Sequence, residues 1–100
     1  MPKYYKDLVP YLMTYLSGST AACGTSSTEI DVTAKATIFD IHAEGAAVYY
    51  EVNGTAATTT SPGYVPQDGH WSVGPLDNLS TLFVIGAGTA AVAHVEFNQI

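Results

Sequence analysis

Apolar and polar residues alternate along much of this chain, and the period is that of β-strands. Between Glu29 and His42, Ile30, Val32, Ala34, Ala36 and Ile38 face one way, while Asp31, Thr33, Lys35 and Thr37 face the other. That spacing predicts one long half-buried strand. Phe39 and Ile41 fall out of phase with it, which predicts a bulge or a change of packing partner. Residues 46–52 alternate again, with Ala46, Val48, Tyr50 and Val52 opposite Ala47, Tyr49 and Glu51. Asn53-Gly54 is the strongest hairpin signal, because both residues tolerate positive φ, and Thr55 to Thr60 is then the returning strand. Pro62-Gly63 and Pro66-Gln67-Asp68-Gly69 mark loops and turns. His70 to Val73 reads as a short strand and Gly74 to Asn78 as a turn. Leu82–Ile85 and Ala91–Phe97 are closing strands joined at a glycine turn, with Gly88 expected at positive φ. The pattern sums to about seven short strands with turns every ~8–12 residues, which predicts an all-β fold, a small antiparallel β-sandwich or barrel.

Residues 1–18, MPKYYKDLVPYLMTYLSG, break this pattern. Tyr5, Leu8, Val9, Leu12 and Leu16 recur at helical spacing. Pro10 suits the first turn of a short helix over Tyr11 to Leu16 that Gly18 would stop. An extended arm broken at Pro10 is the alternative. Residues 17–28, SGSTAACGTSST, read as a small-residue linker. The expected division is therefore an arm and linker over 1–28 and a β-domain over 29–100. Tyr4, Tyr5, Leu8, Val9, Tyr11, Leu12, Tyr15 and Leu16 form the candidate protein-contact surface of the arm; a first core element of the domain is the other reading. Lys3 and Lys6 ahead of an apolar run, with Ala21-Ala22-Cys23 behind it, resemble a lipoprotein leader. Asp7 and Pro10 interrupt that run and Thr20 stands where an aliphatic residue belongs, so the segment is expected to be retained.

Composition narrows the functions. Apolar residues make up 47% of the 100 residues, and the formal charge is −6 with Lys3, Lys6 and Lys35 as the only cations beside the histidines. A nucleic-acid partner needs a Lys/Arg face, and an anionic membrane surface needs the same, so neither is expected. One cysteine, Cys23, allows no internal disulfide.

Candidate chemistry is sparse. Gly86-Ala87-Gly88-Thr89-Ala90-Ala91 after an apolar strand imitates a dinucleotide fingerprint. That fingerprint requires a helix, a second parallel strand and an acid about 20 residues on, and only twelve residues follow Gly88. His42, His70 and His94 with Glu44 or Glu96 are the available metal ligands, but they lie in separate regions of the sequence, and no metal or other cofactor is expected. No Ser or Cys sits on a recognisable nucleophile elbow, and no carboxylate pair stands out, so the chain is not expected to be an enzyme. Trp71 with Tyr49, Tyr50 and Tyr64 admits two readings: a stacking platform for sugar, or core and subunit-contact aromatics. Asn53-Gly54-Thr55 and Asn78-Leu79-Ser80 match glycosylation sequons.

The segments AAVYYEVNGTAATTTSPGYVPQDG and VGPLDNLSTLFVIGAGTAAVAHVEF, within residues 46–97, resemble small all-β virion proteins of tailed bacteriophages. The shared features are the Asn-Gly-Thr turn, the G-P-L-D-N turn, the VIG strand and a last strand ending in H-V-E-F. The resemblance covers about half of the chain and is a pattern, not a chemical signature. It implies a structural role on the capsid surface, as a decoration or cement protein reinforcing contacts between subunits of the major capsid protein. A tail or neck accessory protein is the alternative within that group. Many copies on a symmetric shell favour a homo-oligomer, a dimer or trimer. A carbohydrate-binding β-sandwich module is the alternative from another class.

Overall fold

The structure, a computed structural model, describes residues 13–100. Among the described residues eight strands follow one another: β1 Thr14–Ala21, β2 Thr28–Ile30, β3 Ile38–Glu44, β4 Val48–Val52, β5 Gly63–Val65, β6 His70–Val73, β7 Leu82–Gly86 and β8 Val92–Gln99. Among the described residues there is no helix. One sheet, sheet A, has the order β1-β8-β3-β6, and sheet B has the order β2-β7-β4-β5. Every pairing is antiparallel. The first strand pairs with the eighth, the second with the seventh, the third with the sixth and the fourth with the fifth. The chain is one long hairpin, centred on the β4–β5 connection and wrapped so that alternate pairs fall in opposite sheets. That winding is a jelly roll, a β-sandwich of two four-stranded sheets.

The core lies between the sheets. Phe39, Ile41 and Ala43 of β3 and Ala93, Val95 and Phe97 of β8 point inward from sheet A. Val48, Val65, Leu82 and Val84 answer them from sheet B, with Ile30 at its edge. Phe39 sits directly opposite Phe97 in the register, with ring centroids 6.2 Å apart, and Tyr50 meets Phe39 edge-on at 5.9 Å. Each large side chain buried this way stabilises the fold by about 1.5–3 kcal/mol. Strand alternation then sends Asp40, His42, Glu44, His94 and Glu96 to the outer face of sheet A, and Tyr49, Glu51, Phe83 and Ile85 to the outer face of sheet B.

Several elements differ from the sequence pattern. Thr14–Ala21, expected as arm and linker, is an edge strand paired with β8. An edge strand is held through its backbone, so its side chains need no apolar alternation. Its register shifts between Tyr15 and Ser17, and Leu16, the extra residue of the bulge, packs against the core. The bulge is therefore in β1 and not at Phe39. Cys23 is buried in the core and not in a mobile linker; its thiol lies 3.7 Å from the Ala91 carbonyl.

The expected strand over 29–42 is two strands in different sheets. The chain turns between them, with Lys35 at φ 73° and the Ala36 amide donating to the Thr33 carbonyl at 3.1 Å. The turn resets the phase, which is why Phe39 and Ile41 fall out of step with Ile30. Asn53 does adopt positive φ, but Thr55 to Thr60 is not a strand; Gly63–Val65 returns to pair with β4 instead.

The stretch Leu82 to Phe97 is not a hairpin either. β7 and β8 lie in opposite sheets, and Gly86 to Ala91 form the corner between them. Gly86 donates to the Gly24 carbonyl at 2.7 Å, Gly24 donates to the Ala91 carbonyl at 3.2 Å, and Ala87 donates to the Ala47 carbonyl at 2.9 Å. A Cβ on Gly86 would overlap Ala91 Cβ and that Gly24 oxygen, so glycine is demanded by close approach. Gly88, by contrast, is not among the positive-φ residues and has room beside Ala46.

Candidate functional site

The register of sheet A brings all three histidines into one row. His94 of β8 is directly opposite His42 of β3, which is directly opposite His70 of β6; on the other side of His94 lies Thr20 of β1. The next row outward along the strands is Gly18, Glu96, Asp40 and Ser72. The rings of His42 and His94 stack with centroids 5.6 Å apart. His94 is clamped at both nitrogens: Nδ1 is 3.2 Å from Thr20 Oγ1, and Nε2 is 2.7 Å from Glu44 Oε1. Asp40 accepts a hydrogen bond from the Ser72 hydroxyl. A groove of about 300 Å³ runs over this face, lined by all three histidines together with Asp40 and Glu96. Separate in the sequence, the histidines are neighbours here because β3, β6 and β8 are neighbours. Only the strand order carries that information.

Sheet B presents a different outer face. Tyr64 is directly opposite Tyr49, which is directly opposite Ile85; beside them runs the row Glu51, Phe83, Glu29. The two tyrosine rings lie 5.1 Å apart. Tyr64 is exposed and Tyr49, Phe83 and Ile85 are half-buried, so they make an apolar patch in which Glu51 and Glu29 flank Phe83. Trp71, at the edge of sheet A, donates its indole N–H to the Tyr64 carbonyl and so bridges the open edges of the two sheets; its ring remains 47% exposed.

The expected aromatic group therefore divides. Tyr49, Tyr64 and Trp71 share one side of the molecule, whereas Tyr50 faces the core, and desolvation raises its phenol above the usual 10.0. Burial likewise raises the Cys23 thiol above 9.0, against the opposing pull of hydrogen bonds from its own and the Gly24 backbone.

Of the expected arm contacts, Tyr4, Tyr5, Leu8, Val9, Tyr11 and Leu12 lie outside the described residues. Tyr15 is 60% exposed on β1, and Leu16 serves the core. The Asn53 sequon is used as structure. Its Oδ1 accepts from the Ser80 amide at 2.7 Å, the Ser80 hydroxyl at 3.0 Å and the Thr81 amide at 3.2 Å, while Nδ2 donates to the Asn78 carbonyl at 2.7 Å. One side chain thus ties the β4–β5 connection to the β6–β7 connection.

Comparison with protein-family models, with curated proteins and with solved structures yields no match.

Proposed function

We propose that this chain is a structural accessory protein of a phage virion that docks on the outer surface of the capsid through the outer face of sheet B. The observation that supports the reading is the apolar patch of Tyr64, Tyr49, Ile85 and Phe83, with Glu51 and Glu29 flanking Phe83. Tyrosine anchors beside a polar rim are what a docking surface uses. The chain has three Lys and no Arg against nine acids, so the partner surface carries Lys or Arg around an apolar centre. The jelly-roll topology hosts capsid and lectin domains alike and does not choose between them. The resemblance of residues 46–97 to phage virion proteins favours the first, with the major capsid protein as partner and a dimer or trimer as the docking unit. Multiple copies on a shell compensate for modest affinity per copy.

The test is co-sedimentation of the full chain with capsids. Replacing Tyr64 by Ala should weaken binding at least about tenfold while circular dichroism keeps its β signal. Copy number per virion separates capsid from tail or neck: hundreds against a few. No sedimentation with capsids at any concentration tried would overturn the reading. A chain starting at residue 13 tests the N-terminal contacts without cutting into β1.

A second reading rests on Trp71. Its indole N–H is engaged by the Tyr64 carbonyl and the residue is about half exposed, which suits stacking on a sugar. Glycan-array binding that is lost in Trp71→Ala would promote this reading over the first.

A further inference from the structure

We propose that the open edge of β1 is an interface between copies of this chain: it pairs antiparallel with the same edge of a second copy, and sheet A continues across a two-fold axis. The four edge strands of the sandwich are unequal. Sheet A ends at β1 and β6, and sheet B ends at β2 and β5. β2 has three residues with Glu29 at its centre. β5 has three residues between Pro62 and Pro66. β6 has four residues and stops at Gly74-Pro75. Shortness, charge and proline are the devices that keep a sheet edge from pairing with another chain. β1 has eight residues, TYLSGSTA, with no charge and no proline.

The backbone of β1 is half used. Among the described residues it pairs with β8 alone, and no backbone bond joins Thr14–Ala21 to any other segment. In an antiparallel pair every second residue turns its N–H and C=O away from the partner strand. Gly18, Ser19 and Thr20 are exposed, so that row of donors and acceptors faces solvent. The bulge between Tyr15 and Ser17 bends the first part of the strand. Beyond it, Ser17–Ala21 keeps an unbroken register with β8 from Phe97 to Ala93, and this stretch is the pairing segment.

Charge selects a second copy as the occupant. The chain carries −6, so two copies repel each other over most of their surface. The β1 edge is the exception. Behind it on β8 stands Glu96, opposite Gly18. When β1 meets β1, the two Glu96 positions are three strand spacings apart, roughly 14 Å at about 4.8 Å each. That exceeds the Debye length of about 8 Å at physiological salt. A strand paired antiparallel with itself is also self-complementary, each open donor of one copy meeting an open acceptor of the other. With the axis at Ser19, Ser17 faces Ala21 of the second copy, Gly18 faces Thr20, and Ser19 faces Ser19. Paired residues share a face, so both copies of sheet A join as one eight-stranded sheet with their outer faces on the same side. The sheet-B patch stays outside this interface.

The experiment is sedimentation equilibrium of the untagged full chain at physiological salt, with amide hydrogen exchange followed as concentration rises. The expected result is a dimer of twice the 10.5 kDa chain mass, formed below about 1 mM, with amides in Ser17–Ala21 gaining protection as it forms. Ser19→Lys and Ser19→Glu should each weaken dimerisation at least about tenfold, because either places two like charges opposite each other at the axis. An effect of net charge alone would instead strengthen the dimer in Ser19→Lys and weaken it in Ser19→Glu, and that outcome overturns the proposal. Tyr64→Ala, on sheet B, should leave the dimer constant within about twofold, which keeps this interface distinct from the capsid-docking patch. Circular dichroism checks that each variant keeps its β signal. A full chain that stays monomeric up to about 1 mM overturns the proposal. If its Ser17–Ala21 amides are protected at every concentration, the edge is covered by the chain itself. A dimer in which those amides gain no protection overturns the proposal as well.

Discussion

The two outer faces of this sandwich are made by the same device and carry opposite chemistry. In each sheet, strand alternation sends every second residue outward. Sheet A sends out His42, Glu44, Asp40, His94 and Glu96, a polar face on which His94 pairs with Glu44 and Asp40 with Ser72. Sheet B sends out Tyr49, Tyr64, Phe83 and Ile85, an apolar face. Polar side chains on a solvated face cost nothing to leave open. An exposed apolar patch earns its place through a partner. The difference is why the docking proposed above is placed on sheet B and not on sheet A.

The largest expected effect removes both faces together. Gly86→Val at the corner joining the sheets should destabilise by more than about 3 kcal/mol in urea titration, because its Cβ would meet backbone and a neighbouring methyl that cannot retreat. Gly88→Ala, three residues before Ala91 in the same corner, should cost less than about 1 kcal/mol, since its Cβ meets only Ala46 Cβ at 3.4 Å. Equal losses at the two glycines would remove the close-packing account of the corner.

Asn53→Ala comes next, with about 1–3 kcal/mol expected by the same titration. It releases the two connections that flank β4 and β7, the strands carrying Tyr49 and Ile85, so sheet-B docking should weaken with it. Hydrogen exchange should quicken at Ser80 and Thr81, whose amides Asn53 accepts.

Alkaline pH should loosen the core without selecting either face. The Cys23 thiol has a folded pKa raised above 9.0 and the Tyr50 phenol one raised above 10.0. Each group ionises more readily in the unfolded chain, so its contribution is complete below the ordinary value and is lost as pH rises through the folded one. The denaturation midpoint should therefore hold up to about pH 8.5 and fall above it, with Cys23→Ala removing the earlier part of the fall.

The smallest stability effects should come from the faces themselves. His94→Gln should change stability by less than about 1 kcal/mol, because its pairing with Glu44 is solvent-exposed and screened. A stability loss several times larger would make the His94–Glu44 pair a structural element of sheet A and not a screened surface contact.

The strands with clean alternation were legible. Residues 46–52, His70 to Val73, Leu82 to Ile85 and Ala91 to Phe97 fall on β4, β6, β7 and β8. β1 was not, because TYLSGSTA holds its place through backbone pairing and only Leu16 and Ala21 reach the core. The single strand read over 29–42 was an artefact of alanines keeping an apolar beat through a turn that Lys35 makes at positive φ. Asn53 was legible as a site of positive φ but not as the anchor of a distant loop, since its partners stand 25 to 28 residues away.

What the sequence determined by itself is the all-β class and, within each strand, which residues share a face; a period of two needs no partner to be read. It also determined the acidic surface and the lack of a Lys/Arg face. Which strands become neighbours was decided by tertiary structure, because pairings such as β1 with β8 and β3 with β6 join segments with no local signal for one another. The register is set where two apolar faces pack across the sandwich, and a slip of one residue would turn every side chain over. The histidine row and the tyrosine row exist only once that packing is made.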